Sequence, residues 1–157
     1  MDTKEHYLYP AAIYASSTPT KVTTVLGTCI AVCLWDSKLK IGGINHFMLP
    51  FWNGEGLASP KYGNIAIKKL IEKLTSLGSE KENLVAKIFG GKEGEHNDTF
   101  KIGSRNATYA IDALNDQNIS VVAKSVGGNY GRKILFDTST GEVLMKYIKP
   151  SNPTPNQ

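Results

Sequence analysis

Seven consecutive apolar residues, Cys29 to Trp35 (CIAVCLW), constrain this chain more than any other segment. A half-exposed strand alternates apolar and polar side chains, whereas this run is apolar on both parities. As a strand it must be buried between two layers. The rest of the chain has to supply those layers, and 157 residues suffice for one domain with such a core.

The flanking segments read accordingly. Tyr7 to Ala15 and Lys21 to Leu26 are rich in aromatic or β-branched residues and read as short strands around a turn at Ser16 to Thr20. Ile41 to Leu49 reads as the next strand, ended by Pro50, and Phe51 to Pro60 as a loop. Ala66, Ile67, Leu70, Ile71, Leu74 and Leu77 recur at helical spacing, which predicts a helix from Gly63 or Asn64 to Leu77, stopped by Gly78. Leu84 to Phe89 reads as a strand closed by Gly90-Gly91, followed by a polar loop at Lys92 to Asn97. Ser104 is the expected N-cap of a second helix reaching about Asp116, with Ala107, Ile111 and Leu114 towards the core. Ser120 to Val126 reads as a strand, Ile134–Asp137 and Glu142–Ile148 as a hairpin, and the tail from Pro150 as frayed. The sum is an α/β domain of mixed strands with two main helices.

Several function classes fall away. No stretch approaches the roughly 18 to 20 uninterrupted apolar residues that a bilayer crossing requires, and Met1 to Pro10 lacks the pattern of a secretion signal, so the expected address is cytoplasmic. The net charge of +4 permits attraction to acidic partners. It does not point to nucleic acid, because the arginines are only Arg105 and Arg132 and the lysines are scattered without a basic stripe.

Two cysteines, Cys29 and Cys33, are too few for a disulfide framework. On a strand they stand roughly 13 Å apart, too far for a shared zinc ion or a disulfide, and no second ligand pair follows. A cysteine in an apolar run is ordinarily a small buried hydrophobe, and Cys33 fits that description. His46, in an otherwise apolar strand, could equally be a hydrogen-bonded core histidine. Pairing changes the reading for Cys29. A tight turn centred on Ser37 and Lys38 places Cys29 directly opposite His46, and a register slip of two leaves them diagonal neighbours. A thiol beside an imidazole suits acyl transfer: a free thiol is only about 3% thiolate at pH 7, and a neighbouring imidazolium raises that fraction. Backbone N–H groups would hold the oxyanion; Gly27 either lets backbone and substrate approach closely before the thiol or is a strand-to-strand corner, and Thr23 either orients the imidazole through its hydroxyl or is an ordinary strand threonine.

VLGTCIAVCLWD followed by GGINHFMLP resembles the paired signature of the CheD family, chemoreceptor glutamine deamidases of chemotaxis. KIFGG at Lys87 to Gly91, IGSRNA at Ile102 to Ala107 and GGNYGRKILFDTSTGEV from Gly127 to Val143 extend the resemblance over about Val22 to Ile148. It implies a layered α/β sandwich of mixed sheet, similar to cysteine-dependent deamidating toxins. It also implies hydrolysis of glutamine side-chain amides on the cytoplasmic helices of methyl-accepting receptors. By the same resemblance, Cys29 would be the nucleophile, His46 the base and Thr23 the orienting residue, with no metal or other cofactor. The CheC phosphatase would be a partner, and a non-catalytic module regulating CheC is the alternative. Thr28 stands where serine is usual, Asn64 where aspartate is frequent, and the charged segment Lys92 to Phe100 replaces a short apolar one.

Overall fold

The computed structural model describes residues 3–93 and 100–149. Most of the polar loop expected at Lys92 to Asn97, and the tail from Pro150, therefore lie outside the described residues.

Among the described residues, nine strands form two sheets. The first has the order β1 (Lys4–Tyr7), β3 (Thr20–Leu26), β8 (Gly131–Asp137) and β9 (Val143–Ile148). The second has the order β2 (Ile13–Ser16), β5 (Ile41–Asn45), β4 (Ile30–Asp36), β6 (Leu84–Gly90) and β7 (Ser120–Val126). Pairing is antiparallel except for β1 with β3 and β6 with β7. Two helices, α1 (Gly63–Ser76) and α2 (Ile102–Asp116), cover the second sheet.

The expected double burial of the apolar run is what organises these layers. Ile30, Val32 and Leu34 of β4 join Ala66, Leu70 and Leu74 of α1 and Ala110 and Leu114 of α2 in one cluster. Ala31 and Cys33, on the other face of β4, join Val22 and Leu26 of β3 and Ile134 and Phe136 of β8 in a second. The molecule is thus a layered α/β sandwich of helices, sheet and sheet, with β4 supplying side chains to both cores. Truncating any one of these leucines to alanine would cost about 2–5 kcal/mol.

Three local expectations are revised. The Tyr7–Ala15 strand is two strands: Lys4–Tyr7 pairs with β3, and Ile13–Ser16 crosses to the other sheet to pair with β5. The crossing occurs at Pro10 and at Ala11, whose φ is 67°. Helix α2 begins at Ile102, so Ser104 lies inside it and Lys101, at φ 50°, holds the cap position. The earlier start lets Gly103 dock directly on the backbone of Gly91 and Lys92, an approach that leaves no space for a Cβ. Finally, β4 and β5 are joined by four residues, since Asp36 pairs with Ile41. The Asp36 carboxylate accepts N–H bonds from Lys38 (2.9 Å) and Leu39 (3.0 Å), which stabilises the longer turn.

Candidate active site

The longer turn displaces the hairpin register by two from direct opposition of Cys29 and His46. Ile30 pairs with Phe47 through two bonds, Ile30 N–H to Phe47 O (3.1 Å) and Phe47 N–H to Ile30 O (2.9 Å). Cys29 and His46 are consequently diagonal neighbours across this bridge, a spacing of about 7–8 Å in regular sheet geometry. They share a face: Cys29 packs against the cluster between the sheets, and His46 has the parity of Ile44 in that same cluster. Among the described residues no hydrogen bond joins the two side chains, so contact between thiol and ring requires side-chain rotation.

Why β5 ends where it does explains where the imidazole goes. Asn45 turns its side chain into the ladder, and its Oδ1 accepts the Val32 N–H (3.0 Å). The backbone of His46 is thereby released to a different partner, the crossing between β1 and β2: Ala11 N–H donates to His46 O (2.8 Å) and His46 N–H to Ala12 O (3.2 Å). The ring, on a residue only 2% exposed, then reaches across to the first sheet. There its Nδ1 lies 2.8 Å from Thr24 Oγ1.

Thr23, the residue expected to orient the imidazole, is not the one that meets it. On β3 the buried positions are Thr20, Val22, Thr24 and Leu26, while Lys21, Thr23 and Val25 lie on the more exposed face. Strand alternation therefore turns Thr23 away from the space between the sheets and Thr24 into it.

The Thr24 contact also sets the histidine tautomer. Thr24 Oγ1 donates its single proton to Leu8 O at 2.7 Å. Its oxygen can then only accept from the ring, which puts the imidazole proton on Nδ1 and leaves the Nε2 lone pair free.

Cys29 is half-buried and free, and burial raises its thiol above the usual range. Burial also pushes the His46 ring down from 6.5 to about 4. Burial thus favours the neutral thiol and the neutral imidazole over their charged forms, because both charged forms lose solvation between the sheets. Cys33, fully enclosed, has its thiol raised much further and takes no part.

The turn bearing Cys29 is held by all three of its carbonyls. Lys92 N–H donates to Gly27 O (3.0 Å), Gly91 N–H to Cys29 O (2.8 Å), and Asn106 Nδ2 to Thr28 O (3.0 Å). Gly91 adopts φ 72° to make this approach. Among the described residues, the N–H groups of Thr28 and Cys29 meet no acceptor. They are the donors such a turn offers to an oxyanion. The sequence reading named neither Thr24, which meets His46, nor Asn106, which holds Thr28 O. Thr24 could have been found from the parity of Lys21, and Asn106 as the one amide on the apolar stripe of α2.

The pH dependence of stability follows from the buried ring. Between about pH 6.5 and about pH 4 the unfolded chain takes up a proton that folded His46 does not. Stability is therefore complete above this window and falls as the pH drops through it, by a total on the order of 3 kcal/mol. Urea unfolding at stepwise pH should show this slope, and His46→Gln should flatten it.

A thiol, a base with a fixed tautomer and two backbone N–H groups without acceptors are the groups that cysteine-dependent acyl transfer requires. Comparison with known proteins narrows the class. The family model "CheD chemotactic sensory transduction" matches residues 48–147. The chain is also 47% identical over 151 residues to the probable chemoreceptor glutamine deamidase CheD of Trichlorobacter lovleyi, covering 95% of this chain and 94% of that one. It is 42% identical over 152 residues to the similarly named protein of Sulfurimonas denitrificans, covering 95% and 97%. The chain belongs to the CheD family.

Proposed function

We propose that this protein hydrolyses glutamine side-chain amides on chemoreceptors to glutamate and ammonia, with Cys29 as nucleophile and His46 as general base. The observation that carries the mechanism is the Thr24–His46 contact, which leaves Nε2 unprotonated on a histidine that shares its sheet face with Cys29. Family membership supports the substrate class, through relatives named for that activity.

In the proposed reaction, His46 Nε2 takes the thiol proton as the sulfur attacks the glutamine Cδ. Because burial favours the neutral form of both groups, proton transfer accompanies attack rather than preceding it. The oxyanion forms against the N–H groups of Cys29 and Thr28. Collapse expels ammonia, with the His46 proton passing to the departing nitrogen, and leaves a γ-thioester on Cys29. Water, deprotonated by His46, attacks the thioester. Glutamate leaves and the thiol regains its proton. Through this cycle Thr24 keeps the ring proton on Nδ1, and no metal or other cofactor enters.

Incubation with a receptor cytoplasmic fragment should release ammonia and produce the mass gain of an amide-to-acid exchange, with the peptide backbone intact. Backbone cleavage, or an unchanged mass with no ammonia, would exclude deamidation. The action is proposed to take place in the cytoplasm, where those receptor helices lie, and among the described residues no helix is long and apolar enough to cross a membrane. Association with CheC is a separate proposal, read by co-elution of the two purified proteins without receptor.

A further inference from the structure

We propose that Asn106 is a positioning residue for this chemistry: its amide clips the turn carrying Cys29 to the segment that follows His46. The inference rests on the Cys29–His46 reading and adds a residue that touches neither reacting atom. Asn106 is fully buried, on the face of α2 that also presents Gly103, Ala107, Ala110 and Leu114 to the core. Its Nδ2 donates twice, to Thr28 O at 3.0 Å and to Met48 O at 3.0 Å. Thr28 immediately precedes Cys29, and Met48 lies two residues beyond His46.

No strand ladder does this work. Regular pairing of β4 with β5 ends at Cys33 and Ile44, and beyond it, among the described residues, the two segments are linked by the Val32 N–H bond to Asn45 Oδ1 and by the Ile30–Phe47 bridge. Cys29 lies on one side of that bridge and Met48 on the other strand opposite it. Without a further tie this end of the hairpin could splay, and a diagonal pair that must close by side-chain rotation tolerates little splaying. The Asn106 amide supplies the tie, and α2 fixes the amide, since Gly103 rests on the Gly91–Lys92 backbone one turn earlier.

The amide oxygen argues for placement over stability. Asn106 Oδ1 is buried and has no partner among the described residues. A desolvated, unpaired acceptor costs folding free energy that an apolar residue at this helix position would not incur. Two donors aimed at two carbonyls from different segments are what that cost retains.

The test is steady-state deamidation of a receptor cytoplasmic fragment by full-length Asn106→Ala and Asn106→Ser, each well below its own Tm. Ser79→Ala is the comparator, since it removes a buried bond, Ser79 Oγ to Asp36 Oδ2 (2.8 Å), at the opposite end of β4. Asn106→Ala should lower kcat about 10-fold or more with KM within about 2-fold. Asn106→Ser, with one donor, should fall between, and Ser79→Ala should keep kcat. The pH of half-maximal alkylation of Cys29 by iodoacetamide should also move down towards that of an ordinary thiol in Asn106→Ala, because a loosened turn admits water. Folded Asn106 variants with unchanged kcat and alkylation profile would overturn the proposal. So would losses matching those of Ser79→Ala, or failure of both Asn106 variants to fold even in the cold, which would make the residue a fold determinant. Cys29→Ala assayed in parallel separates the two readings: activity retained there sinks the thiol mechanism itself, whereas activity lost there beside normal Asn106 variants sinks only the clip.

Discussion

Cys29→Ala is expected to abolish ammonia release from a receptor fragment, and His46→Ala to reduce kcat by about 10²–10⁴-fold, the span usual for loss of a positioned general base. The fold should survive the first change. Cys29 is half-buried, in the turn just before β4, and its replacement removes one sulfur from the margin of the cluster between the sheets. Cys33→Ala is the informative contrast, since it deletes a sulfur from the middle of that cluster, where the residue is 1% exposed. It should lower stability by about 1 kcal/mol and leave kcat unchanged. Opposite outcomes for two cysteines that pack on the same cluster would separate the reactive thiol from the packing one. The residual rate of His46→Ala should rise with pH, because hydroxide can remove the thiol proton that the ring no longer takes. A wild-type rate in Cys29→Ala would end the mechanism.

How far the sequence could be read depended on whether a segment's partners were local. Cys29 to Trp35 declared its two-sided burial because every residue in it is apolar, and the helix at Gly63–Ser76 declared itself by its stripe. Tyr7 to Ala15 did not disclose that it serves two sheets: nothing within it says that Tyr7 pairs with Thr23 and Ile13 with Asn45. The hairpin turned on a single carboxylate. Asp36 lengthens the turn by holding two N–H groups, and that shift of two converts direct opposition of Cys29 and His46 into a diagonal. The resemblance supplied the residue types of the site, whereas the tautomer was hidden, because it depends on Leu8 O, a backbone atom of a third segment. The charge state was hidden for a similar reason. Thiol and imidazole beside each other suggest an ion pair, whereas the depth of burial between the sheets favours the neutral form of each.

The two adjacent threonines of β3 offer the sharpest discrimination of the site's geometry. Thr24→Val should lower kcat by about 10²-fold with little change in KM, while Thr23→Val should leave both near wild type. Valine matches threonine in shape, so neither change opens a cavity. At position 24 it removes the oxygen that, among the described residues, accepts from His46 Nδ1, and it leaves Leu8 O without its 2.7 Å donor. The ring is then free to carry its proton on Nε2, where it cannot act as the base, and to rotate within the space between the sheets. At position 23 the hydroxyl lies on the other face of β3 and meets no part of the site. The cost at position 24 has a recognisable form. Thr24→Ser, which restores the hydroxyl, should recover most of the rate, and a merely structural defect would not be repaired by a smaller side chain. Should Thr23→Val instead carry the large loss and Thr24→Val the small one, the tautomer assignment falls, and with it the route by which the thiol loses its proton.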